Sequence, residues 1–148
     1  MRSSRRIVLE TGVAGGLLFT IHVSIPNCGA WPFIWPAFAG ATAVWLATRE
    51  PQLHRWRAGL VVALVTGVIT GAIAFVGVST VVYTVVHTGI APALRQSAAF
   101  PSGVPASAIA AITTGPAAAL ASIDLIVGFL AGVLVFPARY FQTRPARA

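Results

Sequence analysis

Hydrophobic and polar positions alternate along this chain in long blocks, not residue by residue. Apolar runs cover 7–25, 32–48, 58–82 and 116–136, and the breaks between them carry nearly all of the charge. Each run approaches the roughly 20 residues that a helix needs to cross a bilayer core of about 30 Å. The pattern therefore predicts an all-α integral membrane protein, a four-transmembrane-helix bundle forming one membrane domain over 1–148. The longest break, 87–115, is expected to be an extracytoplasmic loop with one or two short helices. Within it, 106–112 either lies on the membrane or dips into it.

A second, helical periodicity runs inside each block. At about 100° per residue, Gly12, Gly15, Gly16, Phe19 and Val23 share one side of the first run. In the second, Trp31, Trp35, Phe38 and Trp45 share a face, and Ala37, Gly40, Ala43, Val44 and Ala47 share the opposite one. Aromatic residues are expected toward lipid and the interfaces, small ones toward other helices. The third run repeats small residues at Gly59, Ala63, Gly67, Thr70, Ala74 and Gly77, and the fourth places Ala117, Ala121, Asp124, Gly128 and Ala131 together, close to Gly132. Three G-x-x-x-G pairs result: Gly12 with Gly16, Gly67 with Gly71, and Gly128 with Gly132. In a soluble helix each glycine would cost about 1 kcal/mol. In a bilayer it opens a groove for a neighbouring backbone.

Prolines punctuate the blocks. Pro26 ends the first run, and Pro36 loosens the start of the second. Thr114-Gly115-Pro116 reads as a helix start and Pro137 as a stop. The third run trails into β-branched residues. If it stays helical to Val86 it measures about 43 Å and must tilt or project beyond the membrane.

Composition sharpens the class. The chain is 57% hydrophobic and 9% charged, with mean hydropathy +0.84. Soluble domains carry about 25% charged residues, so a soluble globular fold is excluded. The net charge of +7 would suggest a nucleic-acid partner in a soluble protein. Here all ten basic residues are arginines, and nine of them cluster at 2–6, 49–57 and 139–147. Arg95 alone lies elsewhere. With four spans those nine fall on one side, so the positive-inside rule predicts a multi-pass cell-membrane protein with both termini cytoplasmic. Three or five spans would strand the arginines of the tail. No nucleic acid is expected as a partner; the lipid bilayer is, with other membrane subunits or further copies of the chain.

The first run also resembles a signal peptide in outline, but Glu10 sits early in it and no A-x-A site follows, so a retained helix is expected. Cys28 is the single cysteine, which precludes an intramolecular disulfide. The absence of lysine removes Schiff-base chemistry.

Asp124 is the one charge deep inside a run. A buried carboxyl costs on the order of 3 kcal/mol or more at the bilayer centre, so it is expected to face the bundle. Counted from the cytoplasmic helix ends, Asp124 and Thr70 lie about 18 Å deep and His22 about 22 Å. These three residues form the expected buried polar cluster, in which Asp124 and His22 are placed to share a proton. The plainer alternative is an interhelical hydrogen bond contributing about 1 kcal/mol. Glu10 lies near the basic end, within reach of headgroups or arginines.

No phosphate loop, C-x-x-C, H-E-x-x-H or G-x-S-x-G is present, and no two carboxylates share a depth, so no enzyme, metal or cofactor is implied. The leading expectation is a non-enzymatic accessory or self-associating subunit packed through Gly/Ala faces. The alternative is a small proton- or cation-coupled transporter or channel using Asp124 with His22. A pigment- or quinone-binding subunit ranks third.

Overall fold

The computed structural model describes residues 2–25, 31–49, 56–90 and 105–142. Helix α1 spans Arg2–Val23. A 3-10 turn, Trp31–Phe33, leads into α2, Ile34–Ala47. Helix α3 spans Trp56–Val85 and ends in a π-helical turn, Val86–Ile90. Helix α4 spans Ala106–Gln142. No strand occurs among the described residues. Three helical stretches, Ser4–Val23, Trp56–Gly89 and Ser107–Ala138, are long and apolar enough to cross a membrane.

The glycines show how the helices run. Gly12 lies against Ile69, Gly16 against Ile73, and Gly77 against Thr20, so α1 and α3 are parallel. Gly128 lies against the Pro36 carbonyl and Gly132 against Val44, so α2 and α4 are parallel. Gly59 meets Phe136 while Gly71 meets Ala121, so α3 and α4 are antiparallel. Gly15 meets Ala39 while Phe19 packs on Phe33, which makes α1 and α2 antiparallel as well. Helices α1 and α4 occupy opposite corners, with α2 and α3 meeting between them.

The interior is built from small side chains. Ala43, Ala47, Ala63, Ala74 and Ala117 are fully buried, and so are Thr66 and Thr70. The large aliphatic residues point outward: Leu17, Ile21, Val61, Leu64, Ile126 and Leu130 are exposed, and Leu134 is 75% exposed. In water this arrangement forfeits the main driving force for folding. In lipid it is the stable one, because lipid tails are as apolar as leucine and close backbone packing holds the helices together. The fold therefore points to a membrane setting.

Three expectations need correction. The fourth span is not confined to 116–136, because α4 continues through both Pro116 and Pro137. Residues 106–115, expected within the loop, are its first three turns. A proline inside a helix removes one backbone bond, here to the carbonyls of Ile112 and Val133, but membrane helices tolerate this. Both prolines sit on the exposed face, and the alanine-rich lead-in from Ala106 favours helix. The third run likewise extends past 82, as its length allowed. Trp35, expected toward lipid with Trp31 and Phe38, instead turns inward to His22, since an indole N–H in apolar surroundings needs an acceptor. Trp31 and Phe38 are exposed as expected. Loop residues 91–104, with Arg95, lie outside the described residues, as do Cys28 and His54.

Candidate functional site

Asp124 sits on the face of α4 that also carries Ala117 and Gly128, and it is 0% exposed. The small-residue period put it there, as the sequence implies. Its surroundings follow from the contacts one turn further on. Gly128 stands against the Pro36 carbonyl and the Gly67 Cα. One turn back along both segments, Asp124 is level with Pro32 in the 3-10 turn that leads into α2. On α3 its level is that of Gly71, which lies against Ala121 and Leu125 on either side of Asp124.

Both carboxyl oxygens of Asp124 are buried, and among the described residues neither has a hydrogen-bond partner. The expected partners are engaged elsewhere. His22 Nδ1 accepts a 2.9 Å hydrogen bond from Trp35 Nε1, with the two rings 5.7 Å apart. That bond requires Nδ1 to be unprotonated and so sets the tautomer of a neutral His22. Thr70 is fully buried, and its hydroxyl donates to the Thr66 carbonyl of its own helix at 2.8 Å. Its methyl would lie 3.4 Å from a Cβ at Gly15, so Thr70 is turned toward α1. The three residues of the expected cluster thus share a region of the bundle but no hydrogen bond to Asp124. A threonine can satisfy its donor within its own helix, and His22 found a nearer partner across the α1–α2 connection.

Gly40 and the glycines of the three G-x-x-x-G pairs line helix contacts. Gly12 and Gly16 receive Ile69 and Ile73 of α3. Gly40 is so close to Gly128 that a Cβ there would run into the Gly128 carbonyl oxygen. A Cβ on Gly67 or on Gly71 would stand 2.9 Å from a carbonyl oxygen of α4. Gly132 packs between Ala63 and Val44. At the arginine-rich end, Arg6 and Glu10 form an exposed ion pair at 2.6 Å, and Trp56 meets Phe136 edge-on at 5.0 Å.

Ser79 was not singled out by sequence reasoning. Its hydroxyl is also buried without a partner. The helical period gave no signal for it, because a row of four-residue steps drifts about 40° per step and runs through the exposed Phe75 before reaching Ser79.

Chemically, an ionised carboxyl buried without a partner is heavily penalised. Asp124 therefore requires a proton, a cation or a donor brought to it. The start of α2 at its level has no side-chain cap, and a helix start carries about half a positive elementary charge. Among the described residues no three of His, Cys, Asp and Glu gather as a metal site. Comparison with protein-family models, with curated proteins and with solved structures gives no match.

Proposed function

We propose that this chain is a four-span protein of the cell membrane that holds an exchangeable proton or cation at Asp124, acting as a small ion-coupled transporter or channel. One observation carries this reading: a carboxyl buried at mid-depth with both oxygens unpartnered. A purely structural aspartate would be expected to bond another helix, and this one bonds none.

Two arguments support four spans. Helix α2 with its 3-10 turn has 17 residues and reaches about 27 Å, nearly the thickness of the bilayer core. Successive helices also reverse direction, so the three arginine-rich stretches of the sequence adjoin helix ends on one side, which the positive-inside rule would make the cytoplasmic one. The test is ion flux in reconstituted vesicles. The native chain conducts a pH- or cation-driven flux, and Asp124→Asn loses it with the fold intact. Absence of flux in the native chain would sink the proposal.

A second reading, an accessory subunit acting by association, is favoured by a different observation. The glycine faces are occupied inside the bundle, but α3 and α4 are much longer than a bilayer needs. The apolar part of α3 alone, Trp56–Gly89, has 34 residues, about 51 Å. Tyr83, Val85 and Ile112 are exposed toward the common end of these two helices. Association there predicts copurification of a partner or a second copy in mild detergent, and a clean monomer counts against it.

A further inference from the structure

We infer that Asp124 binds its proton against the main-chain carbonyl of Pro32, which Pro36 leaves without an α-helical donor. This rests on the reading of Asp124 as an exchangeable site and adds the identity of the ion and the second group that holds it.

The register of the two parallel helices points to that carbonyl. A Cβ placed on Gly132 would lie 3.2 Å from the Gly40 carbonyl oxygen, and one placed on Gly128 would lie 3.2 Å from the Pro36 carbonyl oxygen. Each four-residue step on α2 is thus matched by one on α4. One step further back, the same row brings the Pro32 carbonyl to the Cβ that Asp124 carries. The carboxyl oxygens lie two bonds beyond that Cβ, within hydrogen-bonding reach of the carbonyl. The chain segments stay together here, because Ala117 and Leu120 of α4 share an apolar cluster with Phe33 of the 3-10 turn. Pro32, Pro36 and Asp124 are all fully buried.

The prolines make this face of α2 an acceptor. In an α-helix the Pro32 carbonyl would take the N–H of residue 36, and a proline there has none. Pro32 lacks an N–H as well. What Asp124 meets is therefore a carbonyl with a lone pair to spare. No donor among the described residues reaches either oxygen of Asp124. A carboxylate can only accept and gains nothing from a carbonyl, whereas a carboxylic acid donates its O–H to it. The bond exists only while the proton is bound, and loss of the proton leaves two buried acceptors face to face. A divalent cation fits less well, since calcium and magnesium take six or more oxygens, and the other contacts of α4 at this level are with Gly67 and Gly71.

No second titratable side chain faces Asp124 from the helices packed against α4. Residues 31–47 of α2 and 58–82 of α3 contain none, and Asp124 is the only one in 106–138. On α1, in the opposite corner, His22 is held by Trp35 and Glu10 pairs with Arg6. The step balances as one proton from water added to the carboxylate, forming the O–H of the acid, and returned to water on release.

The experiment follows the full chain in lipid vesicles by infrared difference spectroscopy between low and high pH. The acid C=O band of Asp124 is assigned by its loss in Asp124→Asn. In chain grown on proline labelled with 13C at the carbonyl carbon, a main-chain band that changes together with the acid band is expected at lower wavenumber. That isotope shift is expected to vanish in labelled Pro32→Ala, whose residue 32 carries no label. Pro36→Ala returns an N–H to the Pro32 carbonyl, and the acid band is expected at higher wavenumber because its acceptor is then shared. Absence of an Asp124 acid band overturns the inference. So does a companion band that ignores the proline label, one that keeps its shift in Pro32→Ala, or an unmoved acid band in a folded Pro36→Ala. The label alters no contact, so the first arm stands whether or not either variant folds. The bands are read without transport. A proline-coupled acid in a chain that carries no flux removes the transport reading alone, and flux lost in Asp124→Asn without such coupling removes this inference alone.

Discussion

Asp124 and Gly40 are constrained in opposite ways, and substitutions separate them. Asp124 is fully buried but hydrogen-bonded to none of the described residues, so Asp124→Asn removes a potential charge without breaking a contact seen among them. Its thermal stability in detergent is expected to equal or exceed that of the native chain. A bonded aspartate would instead lose about 1 kcal/mol. Gly40 touches backbone, which cannot move aside, so Gly40→Ala is expected to destabilise the fold by about 1–3 kcal/mol. Gly115 has nothing near its absent side chain, and Gly115→Ala is expected to be neutral or stabilising by up to about 1 kcal/mol. Equal melting of the two alanine variants would contradict the close approach of α2 and α4. That Asp124 faces inward was legible in the sequence, because the cost of a carboxyl in lipid leaves one choice of face. Its lack of a partner was not legible, because His22 and Thr70 resolved their own hydrogen bonds locally.

At the scale of elements, small residues line the closest helix contacts, since a helix in lipid can be approached closely only where side chains are small. Gly59, Ala63, Gly67, Thr70 and Ala74 are all buried on α3. The ends of the helices were less legible. Pro116 looked like a first helical residue, yet α4 begins ten residues earlier, at Ala106. The missing bond to the Ile112 carbonyl is a loss that the continuing helix absorbs. Pro116→Ala is therefore expected to restore one backbone bond and to raise the melting temperature, with a gain of up to about 3 kcal/mol. A lowered melting temperature would mean that Pro116 shapes a bend on which packing depends. Trp35 also escaped the element-level pattern. It belongs by position to an aromatic stripe, but the need of its N–H for an acceptor turned it to His22.

At the scale of the whole molecule, the distribution of side chains is inverted relative to a soluble protein, with alanine, glycine and threonine inside and leucine and isoleucine outside. In the proposed four-span reading, reversal of direction from helix to helix and the arginine clusters put both ends of the chain on one side of the membrane. A reporter fused after Ala148 is expected in the cytoplasm, and its appearance outside would overturn the four-span topology.

The sequence by itself determined the helical class and the stretches long and apolar enough to cross a membrane. These depend on composition and on a period of 3.6 residues, both of which are local properties. Tertiary structure alone decided which glycine meets which backbone, that His22 binds Trp35, and that Asp124 finds no hydrogen-bond partner among the described residues. Those outcomes depend on which helices become neighbours and at what register, and no single helix contains that information.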